Sequence, residues 1–103
     1  VWRSSRKKHP GKKERSWTMD KVLVEVICPA TAKSYDFWIA KQAVVKNVAR
    51  RIAEDIMLFE MNMELFDLEK DLYFFFYENR ELMNEEYTIQ QSGIKSGCKL
   101  LIL

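Results

Sequence analysis

Two neighbouring segments with a period of two most constrain the fold of this chain. Residues 21–28 and 35–40 carry an apolar side chain at every second position, the period of a β-strand with one buried face. The side chains assigned to that face are Val22, Val24, Val26, Cys28, Tyr35, Phe37 and Ile39. The intervening segment contains Pro29 and breaks the alternation, so the pair predicts a hairpin with a loop of several residues.

After the hairpin, apolar residues recur with the spacing of an α-helix. Apolar residues at three-and-four spacing predict one amphipathic helix. Its predicted buried stripe is Val45, Val48, Ala49, Ile52, Ile56 and Phe59. The helix end stays open, because residues 57–68 are apolar with little punctuation. Residues 72–77 are rich in aromatic side chains and predict a strand. Residues 78–81 predict a turn, 82–83 a short return strand and 99–103 a final strand. The predicted order is β, β, α, β, short β, β.

Positive charge is concentrated ahead of Met19. Residues 1–18 hold seven basic side chains and one acidic one, a formal charge of +6, whereas residues 19–103 hold ten basic and fourteen acidic side chains, a charge of −4. We predict a disordered basic segment over residues 1–18 and one folded domain over residues 19–103. A further hypothesis is that Met19 is the native start, because residues 14–16 can be encoded by codons resembling a bacterial ribosome-binding site.

The predicted order and two local patterns resemble the ubiquitin superfold. One pattern is the helix start, residues 45–48 with Ile52. The other is the C-terminal series Leu82, Thr88, Gly93, Ile94, Gly97, Leu100 and Ile102. The resemblance implies an α+β β-grasp fold, with a mixed sheet of four to five strands packed on one main helix. It also implies that the first and last strands run parallel at the centre of the sheet.

Among bacterial proteins, the chain from Met19 resembles the YukD/EsaB family, the ubiquitin-fold accessory proteins of type VII secretion in Gram-positive bacteria. The matching segments are residues 35–37, 45–48, 66–67, 93–97 and 100–103. This resemblance implies a cytoplasmic, non-enzymatic module that binds protein components of a WXG100/ESAT-6-like secretion system. It implies no cofactor.

Catalytic chemistry is not indicated by the residues. The only histidine, His9, lies in the basic segment, so no catalytic triad can be assembled in the folded part, and no metal-ligand spacing appears. We expect Cys28 and Cys98 to be ordinary thiols, placed by the resemblance at opposite edges of the sheet. Ubiquitin-type conjugation needs a Gly-Gly tail, and we expect its absence after Leu103 to exclude that chemistry if the terminus is native.

Strand alternation predicts where a partner would bind. If Phe75, Leu100 and Ile102 face the core, the opposite face carries an apolar protein-binding patch. The predicted patch is Phe74, Phe76, Leu101 and Leu103. An alternative is that Trp38 or residues 57–68 cover this patch. Met57, Met61 and Met63 form a second candidate surface, for which we favour core filling.

Other functions remain as alternatives. The chain could be a ubiquitin-like domain of a larger protein acting as an adaptor. Nucleic-acid binding through the basic segment, with Trp2 and Trp17 stacking on bases, is weakened by the acidic body. The apolar patch could also join two copies in a homodimer. No stretch is long and apolar enough for membrane insertion.

Overall fold

The computed structural model describes residues 20–70 and 72–103, which form one helix and four strands. The elements in chain order are β1 (Lys21–Cys28), β2 (Lys33–Ala40), α1 (Val45–Glu60), β3 (Phe74–Phe76) and β4 (Cys98–Ile102). The predicted basic segment, residues 1–18, lies outside the described residues. The predicted return strand at residues 82–83 is reduced to one isolated bridge between Phe75 and Leu82.

The sheet is mixed, with the strand order β2-β1-β4-β3. β1 pairs with β2 antiparallel along its whole length, from Lys21 opposite Ala40 to Cys28 opposite Lys33. On its other side β1 pairs with β4 in parallel, and β4 pairs with β3 antiparallel. The first and last strands are therefore parallel neighbours at the centre of the sheet, as predicted.

Helix α1 is held at its start by a distant loop. Its N-cap position, Val44, offers no side-chain cap. Instead the backbone N–H groups of Val45 and Lys46 donate to the carbonyl oxygens of Tyr87 at 2.8 Å and Glu85 at 3.0 Å. These bonds satisfy donors that a helix start leaves without intrahelical partners.

The predicted buried stripe of α1 is confirmed except at its last position. Residues Val45, Val48, Ala49, Ile52 and Ile56 are buried in the core. Phe59 is 57% exposed, although one edge of its ring packs against Tyr35 of β2. Of the following segment, Leu65, Phe66 and Leu68 pack against the core from the helix side.

The predicted facing of β3 is wrong by one residue. Phe74 and Phe76 were expected on the outer face and Phe75 in the core. The register instead sets Phe74 opposite Ile102 and Phe76 opposite Leu100, which are both fully buried. Residues directly opposite each other point to the same face, so Phe74 is a core residue, 1% exposed, and Phe76 packs against the core. Successive side chains of a strand point to opposite faces, so an error of one residue assigned every side chain of β3 to the wrong face.

A polar clamp joins the end of α1 to β2. The Tyr35 hydroxyl donates to Glu60 Oε2 at 2.6 Å, and Lys33 Nζ donates to Glu60 Oε1 at 2.9 Å. The Thr31 hydroxyl lies 2.9 Å from the Tyr35 hydroxyl. Burial, reinforced by the Glu60 carboxylate, raises the pKa of Tyr35 to about 12. The hydrogen bonds from Tyr35 and then Lys33 lower the pKa of Glu60.

The two cysteines are free, as expected, but their predicted placement is wrong. They lie on adjacent central strands, β1 and β4, and not at opposite edges of the sheet. Cys98 is opposite Val24, four residues along β1 from Cys28. That offset corresponds to about 13 Å, well beyond the Cα separation of a disulfide.

Candidate protein-binding surface

One face of the sheet is covered by α1, and the other carries side chains in rows that cross the strands. The row that includes the centre of β4 consists of Ser34, Ile27, Leu101 and Phe75, one residue from each strand. Three of these four side chains are apolar, and they lie on adjacent strands. Leu82 extends the row, because its bridge to Phe75 places it beside β3.

The next row adds two apolar side chains at the end of β4. Tyr73 and Leu103 exchange backbone hydrogen bonds of 3.2 and 3.1 Å, which continues the β3–β4 pairing beyond the strand ends. They therefore share the face of Phe75 and Leu101. We call this surface the outer-face patch, and its members are Ile27, Tyr73, Phe75, Leu82, Leu101 and Leu103.

Side-chain exposure is lowest at the centre of the outer-face patch and highest at its margin. Leu101, at its centre, is only 7% exposed between Ile27 and Phe75, which are both half-buried. Leu82 and Leu103, at its margin, are each 53% exposed. The centre is thus well packed and the margin offers side chains that a partner can cover.

A polar row borders the outer-face patch on one side. It consists of Asp36, Glu25, Lys99 and Tyr77, again one residue from each strand or its continuation. The Arg80 guanidinium lies 5.0 Å from the centre of the Tyr77 ring, an arrangement that favours cation–π attraction. Within this row the carboxylates lie on β1 and β2, and the ammonium group of Lys99 lies on β4.

The turn after β3 fixes the position of Leu82. The backbone N–H of Glu81 donates to Asn79 Oδ1 at 2.9 Å, and Arg80 adopts a positive φ of 59°. The Phe76 N–H then donates to the Glu81 carbonyl at 2.9 Å. Asparagine side chains commonly close such turns by accepting a bond from a backbone N–H two residues on.

The four residues predicted for the binding patch divide between the two faces of the sheet. Leu101 and Leu103 lie on the outer face, whereas Phe74 and Phe76 lie on the core side. The residues missed are Ile27, Tyr73, Phe75 and Leu82. The alternation of Tyr73, Phe75 and Tyr77 could have revealed the correct phase, because phenol groups favour positions where the hydroxyl remains accessible.

The covering segments considered as an alternative lie elsewhere. Trp38 is opposite Leu23, four positions along β1 from Ile27 and beyond the polar row. The apolar residues of 65–68 pack on the helix side of the core. Of the three methionines of the second candidate surface, Met57 is buried, whereas Met61 and Met63 are exposed, so core filling is wrong for those two.

The described residues present little catalytic chemistry. A cavity of about 590 Å³ lies between the start of β1 and the loop before β4, lined by Lys21, Lys41 and Lys95. Gln90 and Ser96 also line it, but no described histidine, cysteine or carboxylate does. Across residues 20–70 and 72–103, no group of three or more histidine, cysteine, aspartate or glutamate side chains could hold a metal ion.

Several solved structures share this architecture. The ubiquitin-like domain of an Arabidopsis thaliana protein matches with a TM-score of 0.59 at 13% identity, over 96% of this chain and 89% of that chain. Ubiquitin from Caldiarchaeum subterraneum matches with a TM-score of 0.58 at 10% identity, over 80% of this chain and 90% of that chain. The fold is the ubiquitin-like β-grasp.

The ubiquitin-like β-grasp also occurs in a less expected match. A chain of a toluene 4-monooxygenase complex with the inhibitor 4-bromobenzoate matches with a TM-score of 0.63 at 15% identity, over 80% of this chain and 95% of that chain. At such identities the likeness shows the fold alone. No protein-family model matches the chain, and no curated protein matches it.

In the ubiquitin-like β-grasp of this chain, the α+β class and the four-stranded mixed sheet on one helix are as predicted. The part of the chain that the structure describes has no helix with the length and apolar character needed to span a bilayer.

Proposed function

We propose that this chain is a non-enzymatic protein-binding module that engages its partner through the outer-face patch. The observation that carries the proposal is a contiguous apolar surface on the sheet face that α1 does not cover. Apolar area in contact with water gains free energy when a partner buries it, by about 25 cal/mol for each Å². A patch of this kind bordered by polar residues is typical of an interaction site.

The composition of the outer-face patch supports this function. Tyr73 and Phe75 supply large rings with few rotatable bonds, the residue type that most often dominates binding energy. Leu82 and Leu103 surround them at the margin. The bordering row carries Glu25 and Asp36 on β1 and β2 and Lys99 on β4, and this charge pattern would orient a partner of complementary charge.

We further propose that the partner belongs to a bacterial type VII secretion machine. The support is the resemblance to the YukD/EsaB family at residues 35–37, 45–48, 66–67, 93–97 and 100–103. Free thiols at Cys28 and Cys98 suit the reducing cytoplasm in which such an accessory protein would act.

The test is affinity capture of the full chain from its own cells, comparing the wild type with Leu82→Asp. Leu82 is exposed and outside the core, so the charge should leave the melting temperature nearly unchanged. We expect the variant to lose a partner that the wild type captures, since a buried unpaired carboxylate would weaken binding by tenfold or more.

The control is Tyr87→Asp, which introduces the same charge at an exposed side chain outside the outer-face patch. It should retain the partner that Leu82→Asp loses. A partner that both variants retain would contradict binding through the outer-face patch. Type VII secretion proteins among the captured partners would support the finer proposal, and capture of unrelated proteins through the same patch would reject it.

A further inference from the structure

A second apolar surface lies at the end of α1, on the helix side of the molecule. Four large apolar side chains within six consecutive residues are exposed there, and Met61 reaches 89% exposure. We call them the helix-end patch, and its members are Leu58, Phe59, Met61 and Met63. Phe59 is anchored edge-on against Tyr35 with ring centres 5.8 Å apart, while the other three are free to adapt to a partner.

The backbone that presents Met61 is costly for that residue. Met61 adopts a left-handed conformation, with φ 55° and ψ 40°, directly after the last helical residue. The N–H groups of Met61 and Asn62 donate to the carbonyls of Leu58 at 3.2 Å and Met57 at 2.9 Å, which closes the helix. Glycine is the favoured residue at such a position, because a Cβ is strained there. The chain instead carries a methionine whose side chain packs against almost nothing.

The chain segment that carries Met61 and Met63 and continues to residue 69 is negatively charged. Residues 60–69 contain four acidic side chains and no basic one. The last turn of α1 has no basic residue to offset the negative end of its dipole. Glu60 is paired with Lys33, but no ion pair to Glu64, Asp67 or Glu69 occurs among the described residues.

We infer that the helix-end patch is a second docking surface, and that it binds a basic amphipathic helix. Leucine, phenylalanine and methionine side chains would cover the apolar face of that helix, and the carboxylates of Glu64, Asp67 and Glu69 would pair with its lysine or arginine residues. The flexible thioethers of Met61 and Met63 suit a surface that accommodates helices of differing side-chain shape. This surface is separate from the outer-face patch, which lies on the opposite side of the sheet.

The probe is a synthetic amphipathic helix of leucine and lysine, about 18 residues or five turns long, titrated into the full chain by calorimetry. Two comparison peptides are used, one with glutamate at every lysine position and one with the same residues in a shuffled order that has no apolar face. We expect the lysine peptide to bind at least about tenfold more tightly than either comparison peptide, and to weaken as salt is raised.

The decisive variant is Met61→Gly. It relieves the left-handed strain, so the melting temperature should rise by about 4 °C, and it removes the most exposed side chain, so the lysine peptide should bind several-fold more weakly. A loss of affinity in a more stable protein cannot be attributed to unfolding. Leu58→Ser should weaken binding similarly, whereas Leu82→Ser on the outer-face patch should not.

Three results would overturn the inference. They are equal affinity for the lysine and glutamate peptides, unchanged affinity in Met61→Gly, or equal weakening by Leu58→Ser and Leu82→Ser. Because the variants lie on opposite sides of the molecule, failure of this inference is distinguishable from failure of the proposed function.

Discussion

Individual side chains divide into those that hold the fold and those that remain available to a partner, and β3 contains both kinds in alternation. Phe74 is sealed between the sheet and α1, while the neighbouring Phe75 is half-buried on the outer face. A substitution at one position therefore tests stability, and a substitution at the next tests binding. Comparing such substitutions therefore tests which residues of β3 face the core.

Phe74→Ala should lower the free energy of unfolding by about 3–5 kcal/mol, because it leaves a cavity in a closely packed core. Leu82→Ala, at an exposed position, should change it by less than about 0.5 kcal/mol. Urea denaturation of the two variants beside the wild type gives both values. A small effect of Phe74→Ala would contradict the register between Phe74 and Ile102.

Helix α1 and strand β2 are joined by the polar clamp described above. Tyr35, Lys33 and Glu60 tie the last helical residue to the start of the edge strand. The clamp anchors the helix directly beside the helix-end patch. The pKa of Tyr35 is raised and that of Glu60 is lowered, so the contact between α1 and β2 depends on pH at both the alkaline and the acidic end.

We expect the clamp to weaken at both pH extremes. The pKa of Tyr35 is raised in the folded state, so its contribution to stability is complete below about pH 10 and is lost as the pH rises toward about 12. The pKa of Glu60 is lowered, so its contribution is complete above the ordinary carboxyl range and is lost as the pH falls through the folded-state value. Thermal unfolding of the wild type across pH measures both arms.

Tyr35→Phe and Glu60→Gln separate the two arms. The difference between the wild-type and Tyr35→Phe profiles should isolate the decline between about pH 10 and 12 that belongs to this phenol, because every other group contributes to both profiles. Glu60→Gln should flatten part of the acid decline. Parallel profiles for the wild type and Tyr35→Phe above pH 10 would mean that the Tyr35 hydroxyl does not titrate differently on folding.

Elements with a long, regular pattern were predictable from the sequence, and short ones were not. β1, β2 and α1 each repeat their period several times, so the alternation or the stripe determines the buried face. β3 has only three residues, all phenylalanine, so its own sequence carries no difference between faces. Its orientation is set by pairing with β4, and the only local signal for it comes from the flanking residues Tyr73 and Tyr77.

The binding surfaces were predictable only in part for the same reason. Leu101 and Leu103 follow from the alternation of β4, but Ile27 joins the outer-face patch through parallel pairing with Leu101, 74 residues later in the chain. The exposure of Met61 follows from a left-handed residue at the end of α1. A methionine gives no sequence signal for that conformation, since glycine is the residue that normally marks it.

Over the whole molecule, the sheet order places β1 and β4 at the centre and β2 and β3 at the edges. Central strands lose their backbone hydrogen bonds only when the sheet opens, whereas edge strands can fray. The protection of backbone amides should therefore differ between strands.

We expect the amides of residues 24–27 in β1 and 100–102 in β4 to exchange with deuterium most slowly, at rates set by global unfolding. The amides of β3 should exchange faster, because this strand is short and lies at an edge. Hydrogen exchange followed by NMR measures these rates. Equal protection of β3 and β1 would indicate that the sheet opens as a single unit.

The parallel pairing of β1 with β4 also has a consequence for synthesis of the chain. β1 is synthesised early, but it pairs with β4, which is synthesised much later. Cys98 of β4, for example, follows its partner Val24 of β1 by 74 residues. The start of α1 likewise waits for Glu85 and Tyr87 to supply its carbonyl partners. A ribosome must therefore translate past Ile102 before the sheet can close. Until then the apolar residues of β1 and α1 lack their native partners, and we expect the growing chain to expose them to other proteins.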